Sequence, residues 1–520
     1  MLKPIWRWRR PYFLLLAIVI GALVASCGPA EDEPKSVEVV DTPVPATEVA
    51  AATAVPVTPR ATATPVPPAT HTVTVASPLP SSTATATLTP SATSTVTPTG
   101  TQTRQPTNTP TDTLVPSPTI TLISGAPPPV PKLPEGDYER LNILLLGTDD
   151  QPGRPSQRTD VIIIVSVNKT TATVNMLSLP RDLYVYVPNY SYQRINSAVY
   201  LGETDGFPGG GVALLKETIH HNLGIPIHGY ARVNFDGFRT IIDAVEGIDM
   251  LVDCSLSDYR LKSPDLDPTE YDNWEWTTID AGLHHMDGET ALWYARSRVT
   301  TSDFDRNRRH QILLRGIWRR FDAASMWDRI PDLWDAFSDT IDTDLTLDQI
   351  LSLVPIGIQL SPDMIESHFI GPDQVEFVQS PQGGSVLVLK PAAGQDILNR
   401  FYTPPTQNRL YQESPRVEIL NRTGEEYLDL VAQERLAWEG FDPFISTRDD
   451  KEPLAETMIY DYTGVTKGGS LEVFQRVLDV SSENIVFQPD PDRTVDYLII
   501  LGEAYDACTY NPWEGWEQVN

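Results

Sequence analysis

Residues 137–505 predict a layered α/β domain followed by a smaller α+β domain, and three observations carry that prediction. Apolar runs of strand length at 141–146, 161–167 and 172–179 precede amphipathic helical patterns at 210–223 and 234–245, the alternation expected of helices packed on a sheet. After Pro404-Pro405 the text starts again as strand 416–420, helix 424–439, strands 441–446 and 457–462, helix 470–480 and strands 485–488 and 495–501. That order approximates a β-α-β-β-α-β unit. Finally, residues 28–136 hold 22 of the 46 prolines and are otherwise mostly Thr, Ala, Val and Ser, so they bury too little apolar surface to offset ordering entropy.

The N-terminus reads as a processing segment, residues 1–27. Lys3, Arg7, Arg9 and Arg10 precede an uncharged apolar run, 12–24, that ends in Leu23-Val24-Ala25-Ser26-Cys27. The run is shorter than the ~20 residues of a spanning helix, and its end is similar to a bacterial lipobox, after which Cys27 would carry lipid. The alternative is an uncleaved signal anchor; either places the remainder outside the cytoplasm. Residues 28–136 are then an extended spacer. At about 3.1 Å per residue in polyproline II form it reaches on the order of 300 Å.

Charge is segregated. The four basic residues before Cys27 offset the spacer's eight acids against four bases, so the net charge of −30 lies on residues 137–520. Such a field repels phosphate backbones and excludes nucleic-acid binding as the role. Within this acidic chain, residues 296–320 contain eight arginines against Asp303 and Asp305, which marks a local anion site. Of the three cysteines, Cys27 is assigned to lipid. Cys254 and Cys508 fall in different domains and are expected as two separate buried thiols, a single bridge being the alternative.

A helix is expected from its N-cap at Asp287 to Arg296, and another from Asp303 to about Phe321, with Leu313, Ile317 and Phe321 on one face. Residues 326–405 give two helical stretches and short strands near 376–390, an accessory part of the first domain.

Gly147-Thr148-Asp149 closes the first strand and Arg158-Thr159-Asp160 opens the second. Two carboxylates at neighbouring strand ends can hold one hard divalent cation, although Asp at a strand exit is also ordinary turn chemistry. Arg181 follows a strand in Leu179-Pro180-Arg181-Asp182, and Arg296 and Arg298 follow a helix. Arg306 and Arg309 occupy the first turns of the next helix, where the macrodipole disfavours cations unless an anion compensates. Guanidinium groups suit pyrophosphate because each donates two parallel hydrogen bonds.

In order and spacing, Leu144-Leu-Leu-Gly-Thr-Asp149, Arg158-Thr-Asp160, Leu179-Pro-Arg-Asp182, Arg194-Ile-Asn-Ser197, Val233-Asn-Phe-Asp-Gly-Phe238, Gly288-Glu-Thr-Ala-Leu-Trp-Tyr-Ala-Arg-Ser-Arg298 and Asp303-Phe-Asp-Arg306 resemble the LytR-CpsA-Psr family. The resemblance covers about 138–325, taken as the catalytic domain 137–325. Residues 415–505 resemble the C-terminal domain often attached to it.

The resemblance implies an envelope phosphotransferase that moves a glycan from a polyprenyl-pyrophosphate carrier to peptidoglycan or another wall acceptor. It implies Mg²⁺, or Mn²⁺, on Asp149 and Asp160, and pyrophosphate on Arg181, Arg296, Arg298 and Arg306, with Arg309 beside them. It also implies an apolar cavity for the lipid, for which 212–223 and 312–318 are candidates. His310 stands where the family usually has Gln, and Glu246 where it commonly has Gly. Two other readings of the same residues are a polyprenyl-pyrophosphate hydrolase and a non-catalytic glycan or lipid-phosphate binding protein.

Overall fold

The computed structural model describes residues 126–509, apart from 135, 150–158, 264, 324–325, 327–329, 338–340, 358, 408, 449–451 and 465–469. The signal segment, Cys27 and most of the spacer therefore lie outside the described residues, as does Arg158. Among the described residues no helix is long and apolar enough to cross a membrane.

The first domain runs β1 (Arg140–Thr148), β2 (Thr159–Asn168), β3 (Thr173–Ser178), β4 (Tyr184–Tyr186), β5 (Tyr192–Arg194), α1 (Ala198–Thr204), α2 (Gly210–Leu223), β6 (Gly229–Val233), α3 (Phe235–Ala244) and β7 (Ile248–Val252). It continues through β8 (Leu256–Leu261), β9 (Trp274–Ile279), β10 (Gly282–Met286), α4 (Gly288–Arg296), α5 (Asp303–Ala323), α6 (Ile330–Phe337), β11 (Asp342–Thr343) and α7 (Leu347–Gly357). It ends with β12 (Ile365–Phe369), β13 (Val375–Gln379), β14 (Ser385–Leu389), α8 (Pro391–Tyr402) and α9 (Arg409–Glu413).

Six strands form the central sheet in the order β11-β6-β1-β2-β3-β12. The β1/β2 and β2/β3 pairs are antiparallel, whereas β6 joins β1 and β12 joins β3 in parallel. Every residue of β3 is buried, as a strand covered on both faces requires. Ile143, Ile163, Val165 and Met176 face one core with Ile241, Tyr294, Leu313 and Ile317. Leu144, Leu146, Ile162 and Ile164 face the other with Val199, Leu214, Ile219 and Phe401. The period-two alternation of the strands thus produces three layers.

Helix boundaries follow local chemistry. The Asn234 side chain accepts from the Gly237 N–H at 2.8 Å and starts α3, and Asp287 accepts from Thr290 N–H at 2.8 Å and starts α4.

Two expected boundaries change. Residues 326–405 are integral rather than accessory, since they supply both sheet edges, β11 and β12. Asn175 Nδ2 also donates to Phe401 O at 2.7 Å and Thr403 O at 2.9 Å, tying this region to β3. The end of the expected spacer is packed: Val130 N–H donates to His221 O at 2.8 Å and Leu133 N–H to Gly224 O at 3.1 Å, with Leu133 buried. Its apolar side chain and these two carbonyl acceptors at the end of α2 outweigh its proline-rich composition.

The second domain comprises β15 (Arg416–Asn421), α10 (Leu428–Trp438), β16 (Asp442–Ile445), β17 (Met458–Asp461), α11 (Ser470–Leu478), β18 (Ile485–Phe487) and β19 (Tyr497–Leu501). Its sheet order is β16-β15-β19-β17-β18, with β17/β19 antiparallel and the other pairs parallel.

The expectation of two separate thiols is overturned: Cys254 and Cys508 form a disulfide with Cα atoms 4.5 Å apart, closing 254 residues of sequence. Arg319 is ion-paired with Glu434 of α10. Arg315 is buried, and its guanidinium lies 4.3 Å over the Trp438 ring.

Candidate functional site

The site begins with an irregularity between two strands. Gly147 pairs with Val161 and Thr148 with Thr159, which leaves Asp160 as the extra residue of a β-bulge. Bulges re-aim side chains at sheet ends. A Cβ on Gly147 would lie 2.8 Å from Val161 Cγ2, so glycine permits the close strand approach at this point. Asp149 leaves β1 beside it.

Beyond β3, a turn closed by Leu183 N–H to Pro180 O at 3.0 Å presents Arg181. Its Nη1 donates to Asp160 Oδ1 at 2.8 Å, its Nη2 is 3.2 Å from Asp303 Oδ2 and its Nε 3.4 Å from Asp182 Oδ2. Burial pulls the Arg181 pKa down, but the Asp160 hydrogen bond and the charges of Asp303, Asp160 and Asp182 more than offset it, so it is raised. Arg194, at the end of β5, places Nε 3.1 Å from Asp182 Oδ1 and donates from Nη2 to Ser385 O at 2.8 Å.

The α4–α5 connection supplies the remaining cations. Arg296 holds its guanidinium 4.2 Å from the Phe235 ring centroid. Desolvation lowers its pKa, with Glu289, Asp149 and Asp160 acting in opposition, which places it within electrostatic reach of both candidate metal carboxylates. Arg298 Nη1 is 3.7 Å from Asp303 Oδ1.

Arg306, one turn into α5, has a side chain only 7% exposed, and its ion pair is a loose one to Asp303 at 3.6 Å. Its buried Nε has no hydrogen-bond partner. Burial pushes its pKa down to about 10, with Arg181 and Arg298 adding to the effect against Asp303 and Asp160. An undercompensated cation is costly in the interior unless an anion arrives.

Arg181, Asp182, Arg194, Asp303 and Arg306 line the polar side of a cleft of about 400 Å³ whose apolar side is Phe304, Phe377, Val386 and Leu387; Asp149, Asp160, Arg296 and Arg298 are not among its lining residues. Phe304 and Leu387 belong to the same core as Val212, Leu215, Ile219 and Leu223, so the 212–223 candidate is continuous with this wall. Ile312, Leu313 and Ile317 face the opposite core and do not join it. A cationic end beside an apolar wall suits an anionic head carrying an apolar chain.

Arg309 does not join the group. Its donors are engaged by Asp305 at 2.9 Å, Thr301 Oγ1 at 3.1 Å and the carbonyls of Tyr294 and Ser297. The three-residue spacing from Arg306 turns it about 60° short of a full helical turn, into the α4–α5 packing rather than the cleft. His310 is also interior rather than on the helix surface. Nε2 lies 3.0 Å from Ala295 O, and burial, followed by Arg306 and Arg309, pushes its pKa down to about 3; it is neutral at ordinary pH.

Asp182, Arg194 and Asp303 were not singled out as site residues. The signal for Arg194 was present in the Arg194-Ile-Asn-Ser197 string; the aspartates read as ordinary turn and N-terminal helix residues. Among the described residues there is no cluster of three or more His, Cys, Asp or Glu able to hold a metal. Asp149 and Asp160 offer at most two protein carboxylates, a set that fits Mg²⁺ when phosphate and water complete its coordination.

Comparison with known proteins gives the family. A family profile described as the LytR_cpsA_psr family matches residues 111–387. The chain is 30% identical over 220 residues to the polyisoprenyl-teichoic acid–peptidoglycan teichoic acid transferase TagU of Oceanobacillus iheyensis, covering 42% of this chain and 63% of that protein. To TagV of Bacillus subtilis, named for the same transfer, it is 28% identical over 295 residues, 56% of this chain and 65% of that one. The chain thus spans less than two thirds of the length of these relatives. The crystal structure of B. subtilis TagV is 26% identical with a TM-score of 0.41, over 51% of this chain and 99% of that one. With its profile match extending over more than half of the sequence, this chain belongs to the LytR_cpsA_psr family.

Proposed function

We propose that this protein transfers a glycan from a polyprenyl-pyrophosphate carrier to a cell-wall polymer, peptidoglycan being the acceptor that its relatives' names give. The observation that carries this reading is Arg306, a buried and undercompensated cation facing a cleft that joins arginines to an apolar wall. A wall hydroxyl attacks the glycan-linked phosphorus, the bridging P–O bond breaks, and polyprenyl phosphate leaves, the hydroxyl proton passing to the departing phosphate or to water. Arg181, Arg296, Arg298 and Arg306 stabilise the charge that develops on the phosphoryl oxygens. Mg²⁺, or Mn²⁺, would be held by Asp149 and Asp160 and would supply further positive charge against the departing phosphate.

Cys27, as a lipid attachment point, would tether the chain to the outer face of the membrane, with the Pro/Thr-rich segment spanning toward the wall. The net charge of −30 opposes any role on nucleic acid.

A donor labelled in its glycan, incubated with the full chain and washed peptidoglycan, tests the reading. Label on the insoluble polymer supports transfer. Label released only as a soluble phosphorylated glycan makes the protein a hydrolase, and intact donor retained on the protein makes it a binding protein.

A further inference from the structure

Strands β8 and β9 form a two-stranded ribbon outside the central sheet, pairing Ser257 with Thr278, Tyr259 with Trp276 and Leu261 with Trp274. Period-two alternation puts these six residues on one face. The opposite face carries Asp258 and Arg260 and is turned toward the site. Arg260 Nη2 donates to Thr290 Oγ1 at 2.9 Å, and Asp258 Oδ2 accepts from the Arg298 N–H at 2.8 Å. The ribbon edge is also tied to the same loop, since Thr300 Oγ1 donates to Ser257 O at 2.8 Å.

The first face is therefore open to solvent. Tyr259 is 42% exposed, Trp276 52% and Tyr271, on the connection between the strands, 75%. The Tyr259 and Trp276 rings meet edge to face with centroids 5.1 Å apart, and Tyr271 lies 6.4 Å from Tyr259. A cross-strand aromatic pair stabilises a ribbon modestly, which accounts for one pair but not for three large rings left in water. Contiguous exposed rings mark an interaction surface. At one end of the row Ser257 Oγ and Thr278 Oγ1 lie 2.8 Å apart, and Glu270 and Asp272 flank Tyr271 as exposed acids. Ring faces suit the C–H faces of pyranose rings, hydroxyls and carboxylates suit sugar hydroxyls, and the acids repel phosphate-bearing chains.

We infer that the outward face of the β8–β9 ribbon, centred on Tyr259, Tyr271 and Trp276, is an acceptor subsite that binds the uncharged glycan strand of the wall polymer next to the Arg298 loop. The inference rests on the transfer reading of the cleft and identifies where its second substrate docks. Carbohydrate held on this face meets the site at the ribbon edge, where Ser257 is tied to Thr300 of the Arg298 loop, whereas the donor's lipid lies against the apolar wall near Phe377 and Leu387.

The full chain is pelleted with peptidoglycan sacculi stripped of secondary polymers and, separately, titrated with β-1,4-linked N-acetylglucosamine oligomers while its tryptophan emission is followed. Tyr259→Ala and Trp276→Ala should weaken both interactions by about tenfold or more, the loss typical of a central aromatic contact. Tyr271→Ala, which removes a ring from a connecting segment without touching a core, should weaken them measurably, and Trp276→Phe should retain them. Each variant should bind inorganic pyrophosphate as the unaltered protein does. Unchanged pelleting of the Tyr259, Tyr271 and Trp276 alanine variants overturns the inference, as does binding that requires the anionic secondary polymers to be left on the sacculi. If Arg306→Ala instead retains full glycan transfer, it is the transfer reading that fails, and binding by the ribbon is judged separately by the pelleting assay.

Discussion

Arg181 donates from Nη1 to Asp160 Oδ1 at 2.8 Å, so a cation assigned to phosphate and a carboxylate assigned to metal hold each other. On the proposed reading, loading would exchange these partners, Asp160 turning to a divalent ion and Arg181 to pyrophosphate. Asp160→Asn should therefore tighten metal-free binding of inorganic pyrophosphate while lowering transfer by roughly 10²-fold or more. Arg181→Lys should lose nearly as much transfer as Arg181→Ala, because an ammonium lacks the planar fork. Calorimetric titration with and without Mg²⁺, beside the transfer assay, checks both; weaker metal-free pyrophosphate binding by Asp160→Asn would refute the exchange.

Arg306 and Arg309 share a helix but have opposite energetic roles. Arg306→Gln removes a buried cation that lacks a close partner, so it should lower transfer by about 10²-fold while leaving the melting temperature unchanged or higher. Arg309→Gln removes one of the two arginines paired with Asp305, Arg308 remaining at 2.8 Å, and leaves two carbonyls without their donor. It should destabilise the fold by about 1–3 kcal/mol. Thermal and denaturant melts of the two variants separate these effects, and similar destabilisation by both would contradict them.

His310 links the site helix to pH. Its pKa falls to about 3 in the folded chain, mainly through burial, against about 6.5 when unfolded. The unfolded state therefore binds the extra proton, and stability is lost as pH falls from 6.5 toward 3. His310→Gln should reduce that slope while keeping a donor to Ala295 O. Denaturant melts across this window check the expectation, and identical slopes would argue against a buried neutral imidazole.

The Cys254–Cys508 bridge joins residues from the two domains, and Asp253 beside it is ion-paired with Arg308 on the site helix. Replacing both cysteines by serine should cost about 2–5 kcal/mol, chiefly by freeing the unfolded chain. The oxidised protein should carry no free thiol at these positions on alkylation and mass spectrometry. Equal melting of the oxidised protein and the double serine variant would remove the bridge from the account of stability.

Arg319 meets Glu434 and donates to Asp249 O at 3.1 Å. A double-mutant cycle of Arg319→Ala and Glu434→Ala should give a coupling of about 0.5–3 kcal/mol. Arg320, which caps Val245 O at 2.7 Å, should show none with Glu434. Additive losses at Arg319 and Glu434 would mean the ion pair does not hold the domains.

Local periodicity is enough to place α2 at Gly210–Leu223, and the Asp287 cap is a short-range signal of the same kind. Motif order brought Asp160, Arg181, Arg298 and Arg306 to one site before any coordinates. Other features were decided by partners distant in sequence. Arg306 and Arg309 look alike as text, yet one faces the cleft and the other the α4–α5 packing, because helix rotation acquires meaning only when neighbours are in place. The same holds for the Asp160 bulge, for β11 and β12 as sheet edges, for the β8–β9 ribbon with its exposed rings, and for Cys254 meeting Cys508. A sequence specifies its own backbone preferences and apolar spacing, but which polar groups become buried, paired or left waiting for a ligand is set by residues tens to hundreds of positions away.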